Sequence, residues 1–557
     1  MTETLKPLRF GVLCNSLVLK QWQFECIQHI IRAGLAEIAM VVVKEDDGLK
    51  PKGKFAKYFS KNGLYLLYDR LFVKPAVLKP VDISALVSDK TLIRVKTIRK
   101  GKFSEYFPEE SIAQIRALQP DFMLRFGFGI LKGEILDVPK YGIWSYHHAD
   151  EQFHRGGPTG FWEIRRKKNI SGVLLQRLTE KIDSGIILRK GWVKTVDHSL
   201  SGLIQSLYSS TTEWPVLICR DIQNECAGYF QNSPLVTEAP VTRIPGNLAT
   251  HGFLFRKFIN YIRFQYSSLF RNDHWQLFMI GRSLAGFIGQ PEITHEELIP
   301  FSRSPRRLYR ADPFGFSTGK SDFYLYEKYD YKTLSGQVYI SENECFTSEK
   351  KAFVQQVHHS YPYIFVFSDN RVYCIPESCA SGQTKLYEFD ETIQEFKQIA
   401  VLLPDIGLVD PSVIRYNGRY WLFGTSGGNG SNTSLNIFYA ETLTGKWSPH
   451  CANPVKLDIR SSRPAGTMFV HEGALYRPVQ DSSNTYGGRI HLCRVEKLND
   501  KEFSEMIVAT INPPAGFTGI HTISAIKDGV LIDMKKPKAG WCAFWSVLGR
   551  KGLKGLI

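Results

Sequence analysis

The C-terminal half of the chain repeats itself, and the period of the repeat limits the folds open to it. Short apolar runs rich in aromatic and β-branched residues recur about every fifty residues. They are Asp312-Pro313-Phe314 before Phe323-Tyr324-Leu325-Tyr326-Glu327; Ser360-Tyr361-Pro362-Tyr363 before Arg371-Val372-Tyr373-Cys374-Ile375; Asp410-Pro411-Ser412-Val413 before Arg419-Tyr420-Trp421-Leu422-Phe423; Arg463-Pro464-Ala465-Gly466 before Ala474-Leu475-Tyr476-Arg477; and His521-Thr522-Ile523-Ser524 before Gly529-Val530-Leu531-Ile532-Asp533. Most join two strands through a short turn carrying Asn, Asp or Gly. One such unit cannot bury its own apolar face. Five in series predict an all-β five-bladed propeller from about Trp275 to Trp545.

The N-terminal half follows another rhythm. Leu8 to Cys14, a periodic stretch from about Leu17 to Ala33, and Ala36 to Val43 read as strand, helix and strand, a βαβ unit that opens a Rossmann-like parallel sheet of α/β class. Gly34 suits the end of the helix. Asn15 and Ser16 lie at the first strand-to-helix switch, where such sheets hold a variable substrate. No Gly-x-Gly-x-x-Gly stands there, which argues against a nicotinamide cofactor. Lys44 to Lys61 reads as an exposed basic loop, Gly63 to Phe72 and Pro108 to Leu118 as helices, Thr91 to Val95 and Ile186 to Lys194 as strands, and Ser199 to Ala227 as one closing helix.

Chemistry concentrates between Tyr141 and Leu188. An apolar run ends in His147-His148, a glycine-rich turn follows at Arg155-Gly156-Gly157-Pro158, and Asp183 sits in an Asp-Ser-Gly turn ahead of another apolar run. This order resembles the core of the folate-dependent formyltransferases. Gly142 and His147 fall on that family's glycine and catalytic histidine, Arg155-Gly156 on its Arg-Gly, and Asp183 with Gly185 on its catalytic Asp-x-Gly, while Ser145 stands where the family has asparagine.

The resemblance implies 10-formyltetrahydrofolate as co-substrate, carried along Arg125, Phe126, Gly127, Phe128, Gly129 and Ile130, with Asn15, Ser16 and Arg155 contacting the acceptor. It implies His147 as an imidazolium, held by Asp183, that donates to the developing oxyanion. Asp183, or a water that it holds, takes the amine proton. A serine hydroxyl is shorter than an asparagine amide, so His148 or a water on Ser145 is expected to complete the oxyanion hole.

The repeating half resembles the N-terminal region of plant glucosamine inositolphosphorylceramide transferases, itself related in fold to five-bladed glycoside hydrolases of the family 43 type. Arg463 to Gly466, Leu475 to Asp481, Tyr486-Gly487-Gly488-Arg489-Ile490 and Ala311 to Phe314 carry the likeness. By that resemblance Asp312 and Asp410 take the positions of a base and of a second, pKa-tuning aspartate. A hydrolase also needs an acid. No Glu lies near Arg463 to Gly466. The expectation is a module that binds a glycan or lipid headgroup through Asp312 and Asp410.

The 557 residues are thus read as a catalytic domain over 1–230, a linker over 231–274 and a propeller over 275–557. A net charge of +16 favours anionic partners. Ala239 to Asn272 contains no acidic residue and interleaves arginines with aromatics. It is read as an interdomain helix, with weak peripheral contact to an anionic membrane as the alternative and nucleic acid ranked below both. Ten scattered cysteines without Cys-x-x-Cys suggest neither a zinc site nor a disulfide framework. With no signal-like run at the start, the reading is cytoplasmic, at most peripheral at the inner membrane face. The expected activity is N-formylation of a nucleotide- or lipid-linked amino sugar in surface-glycan synthesis. The rival is a glycan-binding protein whose formyltransferase-like half turns over weakly or not at all; tRNA formylation ranks below both, because a propeller replaces the tRNA-binding barrel.

Overall fold

The computed structural model describes residues 6–45, 56–101, 103–305, 307–333, 335–353, 358–367 and 371–539. Residues 46–55 of the expected basic loop and Trp545, the expected end of the repeats, lie outside them. The chain divides into two units, Met1–Tyr261 and Ile262–Ile557.

Seven strands form the sheet of the first unit: β1 (Leu8–Cys14), β2 (Ala36–Lys44), β3 (Thr91–Val95), β4 (Phe122–Arg125), β5 (Ile143–His147), β6 (Ile170–Arg177) and β7 (Ile186–Lys194). Their order is β7-β6-β5-β4-β1-β2-β3, with β5 through β3 parallel and β6 and β7 antiparallel additions. Phe10, Val12 and Leu13 of β1 are all fully buried, as a strand covered on both faces requires. The first helix, α1 (Gln21–Arg32), ends where Gly34 takes a φ of +67°, a conformation that costs glycine little. Helices α2 (Gly63–Phe72) and α3 (Glu109–Ala117) follow the expected bounds closely, and α4 (Phe161–Arg165) comes after the glycine-rich turn.

The single closing helix expected between Ser199 and Ala227 is two, α5 (Leu200–Ser209) and α6 (Trp214–Gln223). Pro215 sits in the first turn of α6, where its missing N–H breaks no bond, so the helix restarts there. The unit also continues past residue 230. Val241–Thr242 pairs with Arg155–Gly156, and α7 (Asn247–Phe270) sends Phe253 into the core against Phe161 at 4.5 Å and Tyr68 at 5.7 Å.

Among the described residues, the second unit holds five antiparallel sheets. Four run in sequence: one starts at Leu308–Ser317, one at Ser360–Val366, one at Val409–Tyr416 and one at Phe469–His471. The fifth is built from both ends of the unit, because Arg271–Ile280 pairs along its length with Gly529–Ala539, which pairs in turn with Gly519–Ile526. Each repeat seen in the sequence therefore contributes to its own sheet. Leu308–Ser317 packs against both Ser360–Val366 and Gly519–Ile526, and Ser360–Val366 against Val409–Tyr416.

In four of the five sheets one strand carries the same defect. Pairing skips between Ala311 and Phe314, between Ser360 and Tyr363, between Val409 and Ser412, and between Ile520 and Ile523. At three of the skips a residue with left-handed φ (Asp312 +52°, Tyr361 +41°, Asp410 +49°) precedes a proline. Proline has no N–H to give a ladder and is at home in a bulge. A bulge re-aims the side chain that bears it.

Cys14, Cys26, Cys219, Cys345, Cys374, Cys379 and Cys493 are free thiols. Among the described residues no helix is long and apolar enough to cross a membrane.

Candidate active site

Ser145 and His147 stand two residues apart on β5, so their side chains leave the same face of the sheet at its C-terminal end. Tyr146 and His148 leave by the other. His148 stacks on Tyr208, with 3.7 Å between ring centroids and 5° between planes, and on Tyr146, while Trp22 meets it edge-on at 5.2 Å. Its Nε2 has no hydrogen-bond partner there, and burial pushes its pKa down to about 3. The pleat of β5 thus makes His148 a neutral packing residue, which corrects the expectation that it completes an oxyanion hole.

Ser145 is buried, and its Oγ accepts a hydrogen bond from Arg125 Nη1 at 2.9 Å. The other arm of the same guanidinium donates to the carbonyls of Phe128 at 3.2 Å and Gly129 at 2.6 Å. Asn15 Oδ1 accepts from the Phe128 N–H at 2.8 Å, and Glu105, itself held by Lys44 at 2.5 Å, accepts from the Gly129 N–H at 2.9 Å. A Cβ on Gly127 would lie 2.5 Å from the backbone nitrogen of Asn15, so only glycine lets these two loops approach so closely. Phe126 meets Trp22 edge-on, Phe128 packs into the core against Phe107, and Ile130 pairs with Ser104. The stretch Arg125 to Ile130 is therefore one braced loop beside Asn15, with the N–H groups of Phe128 and Gly129 already occupied. Ser16 is exposed and closes a local turn on Val18.

His147 is half-buried. Burial lowers its pKa below the ordinary 6.5, and Asp183 opposes that shift without reversing it. That direction favours a neutral imidazole at pH 7 over the imidazolium that the resemblance implies: desolvation outweighs a carboxylate that is itself partly solvated. Asp183 occupies a left-handed turn with φ +55°, is about a third exposed, and lies 3.6 Å from Arg155 Nη1. Arg155 is anchored in turn, its Nε donating to the Ala239 carbonyl at 2.8 Å.

Three further groups bear on His147 that the sequence reading did not single out: Glu151, His154 and Glu163, all but fully buried. Glu163 lies 3.2 Å from His154 Nε2, Glu151 lies 2.5 Å from Lys190, and His154 Nδ1 meets Thr242 Oγ1 at 3.1 Å. The signal for Glu163 was an acid inside the apolar run Phe161-Trp162-Glu163-Ile164.

A second polar centre belongs to the other unit and is set by the bulges. Asp312 Oδ1 accepts from Thr522 at 2.8 Å and lies 3.3 Å from His521 Nε2; His521 Nδ1 meets Asp533 at 2.7 Å, and Trp275 stacks on the same ring at 4.0 Å. Asp410 is gripped by Arg463 at 2.5 and 3.2 Å and by Gln480 at 2.8 Å, its N–H donates to Glu377 at 3.3 Å, and Tyr486 lies under the guanidinium at 5.1 Å.

Burial pushes Asp312 up to about 6 against the pull of His521, and lifts Glu327 and Glu377 well above the carboxylate range. Burial disfavours the cations too, yet Asp533 and Asp312 hold His521 above its ordinary value and Asp410 does the same for Arg463. Asp312, His521 and Asp533 each bring a possible metal-ligating atom within 4.8 Å of the others. Both imidazole nitrogens already face carboxylates, however, which describes an ion-paired bridge. Sequence reasoning named Asp312 and Asp410 and missed Glu327 and Glu377, although both lie on the second strand of their repeats, Glu327 within Asp322–Asp330 and Glu377 at the end of Val372–Glu377.

Residues 283–515 match the family described as "Glucosamine inositolphosphorylceramide transferase 1, N-terminal". The rice protein of that name (Oryza sativa subsp. japonica) is 33% identical over 207 residues, 36% of this chain and 28% of the relative. The methionyl-tRNA formyltransferase of Clostridium perfringens (strain SM101 / Type A), a relative of the N-terminal region, is 29% identical over 99 residues, 18% of this chain and 32% of that enzyme. The chain thus spans less than a third of either relative's length. Among solved structures, glycinamide ribonucleotide transformylase 1 from Symbiobacterium toebii aligns over 39% of this chain and 91% of its own, at 13% identity and a TM-score of 0.27.

Proposed function

We propose that the first unit is an N-formyltransferase that moves a formyl group from 10-formyltetrahydrofolate to the amine of a nucleotide- or lipid-linked amino sugar in surface-glycan synthesis. The five sheets of the second unit, on this reading, are the blades of a propeller whose bulge-borne residues Asp312 and Asp410 bind the sugar or its carrier. One observation carries the proposal: Ser145 and His147 share a face at the C-terminal edge of the parallel sheet, and Asp183 lies close enough to act on His147 electrostatically. Methionyl-tRNA formyltransferase relatives of the first region and glucosamine inositolphosphorylceramide transferase relatives of the second support it.

In the reaction the amine nitrogen bonds to the formyl carbon and the carbonyl electron pair moves onto oxygen. Ser145 accepts from Arg125 and so keeps its own O–H proton to donate, polarised by the guanidinium behind it. His147, neutral, offers a ring N–H to the same oxygen. Asp183 takes the amine proton directly or through water. As the oxyanion collapses, the bond from the formyl carbon to the folate nitrogen breaks and that nitrogen is protonated. The co-substrate fits the donor set: two neutral donors side by side, with a carboxylate nearby to receive a proton.

Purified protein incubated with 10-formyltetrahydrofolate and a panel of nucleotide-linked amino sugars should release tetrahydrofolate with at least one of them. Folate binding without turnover on any amino sugar would favour the glycan-binding reading instead.

A further inference from the structure

Helix α7 presents an apolar stripe that is exposed among the described residues. Leu248, Phe255, Phe258, Ile262 and Tyr266 are spaced seven, three, four and four residues apart, which sets them on one side of a helix. Their exposures are 88, 70, 58, 50 and 49%. Thr250 and Phe253, on the opposite side, are the residues of the helix that are fully buried. The sequence reading preferred an interdomain helix and kept weak contact with an anionic membrane as the alternative.

Charge tells what the stripe suits. From Ala239 to Asn272 there is no Asp or Glu, while Arg243, Arg256, Lys257, Arg263 and Arg271 are all present. Arg256 and Arg263 are seven residues apart and so share one flank of the stripe, about a quarter-turn from its centre. Long basic side chains beside an exposed apolar stripe can reach out to phosphate while the rings between them sink into the acyl boundary. A partner protein's apolar groove would not need cations along the border; an anionic lipid surface would.

We infer that α7 docks the protein onto anionic membrane surfaces, its aromatic stripe lying in the interface and its arginines among the lipid phosphates. This goes beyond the proposed formyl transfer and does not depend on it. The fit to lipid-linked substrates is that docking would hold the enzyme at the surface that carries them.

The full chain is tested by co-sedimentation with vesicles of phosphatidylcholine alone and with phosphatidylserine added. Binding is expected to the anionic vesicles only, and to weaken at least tenfold between low and physiological salt. Phe255→Ser with Phe258→Ser should abolish it, and Arg256→Gln with Arg263→Gln should weaken it about tenfold or more. The Phe positions are exposed, so thermal melting should be unchanged in that variant. Three results would overturn the inference: no binding to anionic vesicles, binding that survives both double substitutions, or a self-association in solution that the serine variant dissolves, which would show that a second copy covers the stripe.

Discussion

At the residue scale the candidate site rests on neutral donors. His147→Gln and Asp183→Asn should each cost about 3 to 4 kcal/mol of barrier in formyl transfer, the loss expected when one preorganised group at a developing charge is removed. Melting temperatures should stay near wild type, since neither side chain is fully enclosed. Ser145→Ala should lower turnover by less than about tenfold, roughly 1.4 kcal/mol, and Ser145→Asn should be tolerated; damage equal to that of His147→Gln would make the hydroxyl the main donor. Because burial depresses His147, kcat/KM should hold from pH 7 down past 6.5 and fall only at more acid pH, as the ring protonates.

His148 makes a stability statement. Its folded value of about 3 lies below the ordinary 6.5, so the unfolded chain binds this proton first. The stabilisation is complete above pH 6.5 and is lost as the pH falls, by up to about 2 kcal/mol at pH 5. Denaturant titrations at pH 7 and 5 should show that loss in wild type and its absence in His148→Phe. In the second unit, Arg463→Met leaves Asp410 and Glu377 buried without their cation and should cost about 3 kcal/mol.

Elements were more legible than their seams. Strands β1 through β3, α1 and α2 lie within a few residues of their expected bounds, because their apolar periods are long and Gly34 marks an end. The break between α5 and α6 was missed because the apolar pattern runs across it; Pro215 was the visible clue. Repeats predicted sheets, but they could not say that a bulge would turn Asp312 and Asp410 toward other side chains. Nor could they foresee Glu327 and Glu377 as neighbours, since pairing across sheets leaves no local pattern.

One inter-sheet seam offers a direct test. Gly466 bridges Ile523 with a φ of +126°, and a Cβ there would lie 1.7 Å from the Ile523 carbonyl oxygen. Gly466→Ala should destabilise the second unit by more than about 3 kcal/mol, read as a separate early transition in calorimetry.

On the scale of the whole molecule, each unit carries its own core, and the first needs the start of α7 to complete its own. A fragment of residues 1–261 should fold cooperatively and bind folate, yet turn over its acceptor poorly, because distant binding energy no longer orients the amine. Cutting at 230 instead removes Phe253, fully buried among Tyr68 and Phe161, and should lower stability by about 3 to 5 kcal/mol. Equal melting of the two fragments would show that α7 adds nothing to that core.

The sheet drawn from both ends of the second unit also fixes the order in which that unit can be made. Arg271–Ile280 leaves the ribosome long before Gly529–Ala539, the strand it pairs with residue for residue. At roughly 5 to 20 residues per second the wait is on the order of tens of seconds. Throughout it Trp275, Leu277, Phe278 and Ile280, all buried in the finished fold, belong to an unpaired edge. Truncations or slow codons ahead of Gly529 would then be felt first as insoluble nascent chain, before any loss of stability in the finished protein could be measured.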